Sequence, residues 1–71
     1  MKIKGLIVFE DVEGGVWGIR DENGVNYHPV GGIPPHLRIE GQAVTAEIEP
    51  AEVFTNVMWG RTVRLRKIEK N

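Results

Sequence analysis

The sequence of 71 residues contains neither cysteine nor serine. Without cysteine the chain forms no disulfide and no thiolate-bound metal site, and the two commonest enzymatic nucleophiles are both missing. No apolar run approaches the ~18 residues that span a membrane, and Glu10 and Asp11 interrupt the one stretch that begins like a signal peptide. These absences argue against a disulfide scaffold, a membrane protein and a serine or cysteine hydrolase.

Other catalytic and metal chemistries also find little support in the residues. His28 and His36 are eight positions apart, a spacing that matches no metal-ligand pattern. The glycine pairs follow strand-like segments but open no helix, so neither resembles a phosphate-binding loop. We therefore predict that the protein is not an enzyme and uses no cofactor or metal.

Helical periodicity is absent, and strand-like segments alternate with glycine turns. The pattern predicts five strands, at residues 2–12, 16–21, 25–30, 43–49 and from 57 to 67 or slightly beyond. The first strand is apolar on both faces, so we expect it to curl and to contribute to two sides of a barrel, with a bend or bulge at Gly5. Between the third and fourth strands, Ile33 and Leu37 flank two prolines and a histidine, which predicts a short helical turn that plugs one barrel end.

The hairpin between the second and third strands has two possible registers. A two-residue Asn-Gly loop would set Ile19 opposite His28 and would bury a histidine. A three-residue loop with Gly24 in the left-handed conformation sets Ile19 opposite Tyr27 and keeps the large apolar groups, Trp17 among them, on one face. Because a one-residue slip moves every side chain to the other face, burial favours the second register.

Three strands, a short plug and a two-stranded hairpin follow one another in the order of an OB-fold barrel. We therefore predict a single all-β domain over residues 1–71, a small five-stranded OB-fold-like barrel with a short 3-10 or helical turn between strands 3 and 4. An SH3-like barrel, which also has five strands, is the main alternative.

Positive charge is concentrated in the last eleven residues of a chain whose net charge is -1. Residues 61–71 carry five basic residues against the single acidic residue Glu69. This segment is either an anion-binding stripe or a strand whose cations pair with the glutamates of its neighbour. The second interpretation is favoured, because facing opposite charges commonly stabilise strand pairs.

A run of short motifs gives the chain a family likeness. Glu13-Gly14-Gly15-Val16-Trp17-Gly18-Ile19 is followed by Asp21-Glu22-Asn23-Gly24, a Tyr27-x-Pro29 pair and Met58-Trp59-Gly60. In this order the sequence resembles small prokaryotic OB-like single-domain proteins over nearly its whole length. The resemblance implies a compact barrel without an assigned activity, so it supplies no functional residues.

A weaker likeness, to cold-shock domains, rests on Lys4-Gly5, Trp17-Gly18-Ile19 and Tyr27-His28. Cold-shock domains present a second exposed aromatic residue where this chain has only Trp17. The hairpin register predicts that the Trp17 ring is buried in the core, which removes the base-stacking pair of that family.

Two functional hypotheses remain, and both place the protein in the cytoplasm. The first is a non-catalytic interaction module that binds an unidentified protein partner or a second copy of itself, with no role for a membrane. The alternative is single-stranded nucleic acid binding by the outer face of strands 2 and 3, with Arg20, His28, Trp59, Arg61 and Arg64 as the binding residues. A Trp59 that faces outward beside the arginines would favour nucleic acid, and one that lies in an apolar patch would favour a protein partner.

Overall fold

The computed structural model describes residues 1–12, 14–52 and 59–71. Five strands and one 3-10 turn follow in chain order: β1 (Lys2–Glu10), β2 (Val16–Asp21), β3 (Asn26–Pro29), the 3-10 turn (Pro35–Leu37), β4 (Ala43–Pro50) and β5 (Arg61–Lys70). The strands close into a barrel in the order β1-β2-β3-β5-β4, with β3 and β5 parallel and all other neighbours antiparallel. The predicted all-β, five-stranded barrel with a short 3-10 turn between strands 3 and 4 is confirmed.

β1 curls as predicted and serves two sides of the barrel. Its residues 2–6 pair with β4, and its residues 5–10 pair with β2. Gly5 belongs to both ladders, and a Cβ atom there would overlap the backbone of Arg20 and stand 3.0 Å from the Cα atom of Asp21. The absence of a side chain at Gly5 therefore allows β2 to approach β1 where β1 changes partner.

The core contains the residues that the strand pattern predicts. Val44, Ala46 and Ile48 alternate inward along β4 and are at most 2% exposed. Ile33 and Leu37, on either side of the two prolines, are 1% and 2% exposed and belong to the same core cluster. Burial of a side chain of this size contributes roughly 1.5–3 kcal/mol, so the predicted plug stabilises the barrel substantially.

The β2–β3 hairpin has the predicted register. Ile19 pairs with Tyr27, both side chains are buried, and Gly24 has a φ of 81° in the turn. Asp21 holds this turn together, since its Oδ1 atom accepts hydrogen bonds from the backbone N–H groups of Asn23 (2.9 Å) and Val25 (3.0 Å). The hairpin is thus specified by local turn chemistry and by burial together.

Trp17 is only half-buried, which differs from its predicted place in the core interior. Its ring packs against the edge of the core cluster and against Phe9, with ring centroids 5.0 Å apart and ring planes inclined by 56°. Phe9 is itself 39% exposed. The two rings lie near the ends of paired strands, where the barrel no longer encloses a side chain on all sides.

Several strand ends differ slightly from the predicted ones. β1 ends at Glu10 rather than Val12, β3 is one residue shorter at each end, and β4 extends to Pro50. The motif residues Glu13 and Met58, like the predicted strand start at Val57, lie outside the described residues. Gly60 lies in a bend before β5 with a φ of 74°, so it is not the predicted bulge within the strand.

The irregularity of β5 lies farther along, against β4. Glu47 pairs with Lys67, whereas the next residue, Ile48, pairs with Leu65. One additional residue of β5 is accommodated there, as in a β-bulge. In consequence Leu65 and Ile68, three positions apart, both pack against the core. None of the helices in the described ranges is long and apolar enough to cross a membrane.

Replacing Gly24 with valine should destabilise the protein by about 1–2 kcal/mol, because a β-branched residue resists a positive φ. No heavy atom lies within 4 Å of the position that a Cβ atom would occupy, so backbone strain alone is expected to act. Gly24→Asn is the control, since asparagine tolerates the left-handed region. Urea unfolding that gives equal midpoints for the valine and asparagine variants would contradict the turn assignment.

Candidate binding surface

Four residues on two paired strands face away from the core. Ile19 and Tyr27 point into the barrel, and side chains alternate along a strand. Gly18, Arg20, Asn26 and His28 therefore line the outside of β2 and β3, and we call this set the β2–β3 outer face. This is the face that the strand pattern predicts for ligand contact.

Trp59 lies on this face, above Gly18, and not in the barrel interior. A Cβ atom at Gly18 would overlap the Cζ3 atom of the Trp59 ring and stand 2.7 Å from its Cη2 atom and 2.6 Å from the carbonyl oxygen of Tyr27. The ring itself is half-buried. Because Gly18 has no side chain, the Trp59 indole lies directly on the backbone of β2, and part of the ring surface stays exposed for other contacts.

Arg20 is positioned across the same face by two hydrogen bonds. Its Nε atom donates to Oδ1 of Asn26 at 2.8 Å, and its Nη2 atom donates to Oε1 of Glu10 at 3.1 Å. The Arg20 side chain remains 44% exposed. The guanidinium is therefore held in one place, but Glu10 offsets part of its charge.

His28 carries a polar atom that the described residues leave without a partner. The residue is half-buried and pairs with Thr62 of β5. Its Nδ1 atom is buried and makes no hydrogen bond within residues 1–12, 14–52 and 59–71. Buried polar atoms without a partner are rare in folded proteins, so the described residues leave the hydrogen bonding of His28 incomplete.

The two arginines of β5 have different surroundings. Arg61 pairs in register with Tyr27 at the start of the strand and has no ion pair with a described residue. The Nε atom of Arg64 lies 3.7 Å from Oε1 of Glu49, on β4 and thus on the far side of β5 from β3. The structure therefore places Arg20, His28 and Trp59 on one face. Arg61 lies at the start of β5, where its charge acts on Asp21 and Tyr27, and Arg64 pairs with Glu49.

The pairing of Arg64 agrees with the favoured interpretation of the basic C-terminal segment. Arg66 also approaches Oε1 of Glu49, at 3.5 Å, whereas Lys67 pairs at 3.1 Å with Glu69 of its own strand. Two features of the surface were not predicted. The first is the close approach of the Trp59 ring to Gly18, which a glycine inside a strand could have indicated. The second is the contact of Glu10 with Arg20, for which the sequence offers no signal.

Asp21 and Tyr27 form a hydrogen-bonded titratable pair next to this surface, and the pKa of each is shifted. The Oδ2 atom of Asp21 accepts a hydrogen bond from the Tyr27 hydroxyl at 3.0 Å. The backbone hydrogen bond from Val25 lowers the pKa of Asp21 below its usual value of 3.8, helped by Tyr27, Asn23 and the charge of Arg61 and opposed by partial burial. Burial, and secondly the bond to Asp21, raises the pKa of Tyr27. The ionised carboxylate is thus part of the hairpin structure.

Removing the charge of Asp21 should change how the stability depends on pH. Because the pKa of Asp21 is lower in the folded than in the unfolded protein, its contribution is complete above pH ~4 and is lost as the pH falls through the folded pKa. The Asp21→Asn variant should therefore lose less stability on acidification than the wild type. Urea unfolding at several pH values between about 2 and 6 measures this.

The matched control is Glu22→Gln, which removes a neighbouring carboxylate that forms no hydrogen bond or salt bridge with a described residue. It should follow the wild-type profile. If the free energy of unfolding fell equally with decreasing pH for Asp21→Asn and for the wild type, the Asp21 carboxylate would not be the cause of this pH dependence.

Other parts of the described structure offer less for binding. Two open depressions of about 500 and 420 Å³ share Lys4, Asp21 and Glu22 in their walls, where opposite charges alternate. No group of three histidine, aspartate or glutamate residues within the described ranges is arranged to hold a metal ion. The β2–β3 outer face with Trp59 is therefore the best-defined candidate. A scan against protein-family models and searches of curated proteins and of solved structures found no match for this chain.

Proposed function

We infer that this protein is a non-catalytic binding module whose ligand is single-stranded nucleic acid, bound on the β2–β3 outer face. The observation that supports this best is the position of Trp59, half-buried over Gly18 and two residues from Arg61. An indole on the outside of a barrel offers a stacking surface, and stacking of a base on an aromatic ring contributes about 1–3 kcal/mol. OB-fold barrels bind oligonucleotides on this face and with the loop that precedes the last strand.

The charges of the face suit a weak, salt-sensitive contact with phosphates. Arg61 has no described ion-pair partner, and Arg20 is fixed in place but shared with Glu10. Two phosphate contacts on a single strand give a slope of log affinity against log salt of about -1.4. The imidazole of His28 supplies a hydrogen-bonding group for a base edge or a sugar hydroxyl. The acidic composition of the chain thus limits affinity without removing the site.

Membership of the OB fold proper, and of the group of small prokaryotic barrels that the motifs resemble, forms part of this proposal. The strand order β1-β2-β3-β5-β4 with a parallel β3–β5 pair supports it. A cytoplasmic location belongs to the proposal as well, because the chain has no cysteine that needs an oxidising compartment.

Titration of isotope-labelled protein with oligothymidylate and oligouridylate of about ten nucleotides tests the proposal. We expect amide shifts at Gly18, His28 and Arg61 and at the Trp59 indole, and these shifts should weaken as salt is raised. Trp59→Ala should lower the affinity by about 5- to 150-fold, the equivalent of one lost stack.

Two arginines of the same strand provide the matched control. Arg61→Gln should weaken binding more than Arg64→Gln, because Arg64 lies next to β4, where the carboxylate of Glu49 already offsets part of its charge. Equal effects of the two substitutions would contradict the proposed site. The absence of shifts at millimolar oligonucleotide would contradict the proposed ligand class.

A further inference from the structure

The last strand has one edge that no described strand covers. β3 pairs with β5 only over residues 61–63, whereas β4 accompanies β5 from Val63 to Lys70. Residues 64–70, which we call the β5 edge, therefore have a strand neighbour on one side only within the described ranges. At about 3.3 Å per residue this edge is roughly 23 Å long.

The backbone of the β5 edge is oriented for another strand. The N–H group of Val30 donates to the carbonyl oxygen of Val63 across the β3–β5 boundary at 2.8 Å. Residues two apart in a strand direct their backbone groups to the same side, so Leu65 directs its N–H and C=O groups to the side where β3 has ended. Such unpaired groups are a template for the addition of a strand.

The side chains of the β5 edge determine which charge an added strand should carry. Arg64 and Arg66 share one carboxylate oxygen of Glu49 at 3.7 and 3.5 Å, and their side chains are 51% and 63% exposed. Lys70 has no ion pair with a described residue. Residues 64–70 carry four basic residues, and three carboxylates lie beside them, those of Glu69 in β5 and of Glu47 and Glu49 in β4. The edge therefore keeps an excess of one positive charge.

This charge disfavours a second copy of the protein as the occupant. Two β5 edges would bring like charges opposite each other, which destabilises a strand pair. A strand with acidic side chains would instead place negative charges opposite the cations of the β5 edge, which stabilises a strand pair. Leu65 and Ile68, half-buried against the core, add apolar surface that an incoming strand would cover.

We propose that the β5 edge binds an acidic, extended peptide segment of a partner protein as an additional strand next to residues 64–70. Backbone hydrogen bonds that begin at Leu65 hold the peptide. Its carboxylates contact Arg64 and Arg66, and its apolar side chains cover Leu65 and Ile68. This site is separate from the β2–β3 outer face and does not depend on it.

The test uses the full chain and a capped eight-residue peptide in which glutamate and valine alternate. We expect amide shifts confined to residues 64–70 and slower hydrogen exchange at Leu65 when the peptide is bound. A peptide with lysine in place of glutamate should bind at least tenfold more weakly. A glutamate peptide interrupted by prolines should also lose binding, because it keeps the charge but lacks backbone donors.

The variant Arg64→Gln/Arg66→Gln, checked for an unchanged spectrum elsewhere, should lower the affinity by at least fivefold. Equal binding of the proline-interrupted peptide would overturn strand addition, and equal binding of the lysine peptide would overturn the acidic partner. Stronger shifts of residues 64–70 with oligonucleotide than with peptide would reassign the edge to nucleic acid. Shifts of Gly18 and Trp59 in place of residues 64–70 would also refute the proposal.

Discussion

Replacing Gly5 with alanine should destabilise the protein by at least ~2 kcal/mol, at the upper end of the cost of overpacking. A glycine in the middle of a strand usually costs stability relative to alanine, so the sequence alone predicts a gain. The structure predicts a loss of stability instead. The alanine Cβ atom would overlap the carbonyl group of Arg20 and meet the Cα atom of Asp21 at 3.0 Å. These are backbone atoms of β2, which cannot move away without separating the two strands.

Urea unfolding of Gly5→Ala against the wild type measures this effect. Gly41→Ala is the control, since Gly41 has a φ of 87° and no heavy atom within 4 Å of its ideal Cβ position. Its cost, about 1 kcal/mol, comes from backbone strain without overlap. If Gly5→Ala proves no more costly than Gly41→Ala, the close approach of β1 and β2 at Gly5 is wrong.

Replacing Gly18 with valine should also destabilise the protein by about 2 kcal/mol or more, although valine is a strong strand former. The new side chain would occupy the space of the Trp59 ring and would press on the carbonyl oxygen of Tyr27, 2.6 Å from its Cβ atom. The ring can be displaced, but the carbonyl belongs to the neighbouring strand. The amide shifts caused by oligonucleotide should also be lost in this variant, because the valine side chain displaces the indole from its position over β2.

A double-mutant cycle with Trp59→Ala separates these two contacts. In the Gly18→Val background the loss of the ring should cost less than in the wild type, or should restore stability, since it removes one of the two overlaps. A coupling of 0.5 kcal/mol or more is expected for residues in contact. Additive effects of Gly18→Val and Trp59→Ala on the unfolding free energy would show that the ring does not lie on Gly18.

Much of the fold could be predicted because its signals are local. The Asp21-to-Gly24 turn and the demand that Ile19 and Tyr27 share a buried face fix the hairpin register within a few residues. The alternation along β4 and the apolar residues around Pro34 and Pro35 likewise identify core positions without reference to distant parts of the chain. A long first strand with apolar residues on both faces similarly implies two partner strands.

The binding surface could be predicted only in part. The outward direction of Arg20 and His28 follows from the same alternation that buries Ile19 and Tyr27. The place of Trp59 does not follow, because Trp59 lies in the bend before β5, where no strand alternation applies, and its ring rests on Gly18 of β2. The separation of Arg61 from Arg64 depends equally on which neighbour, β3 or β4, accompanies each residue.

The strands, the hairpin and the plug follow from the order of the residues, because alternation and turn residues act over a few neighbouring positions. The position of Trp59 and the edge formed by residues 64–70 depend on how the barrel closes, and so do the contacts by which Glu10 and Glu49 offset the charge of Arg20 and Arg64. Those features arise where the barrel closes and brings together strands that are far apart in the chain. The free energies of these contacts depend on the distances between the strands, and the order of residues along one strand does not specify those distances.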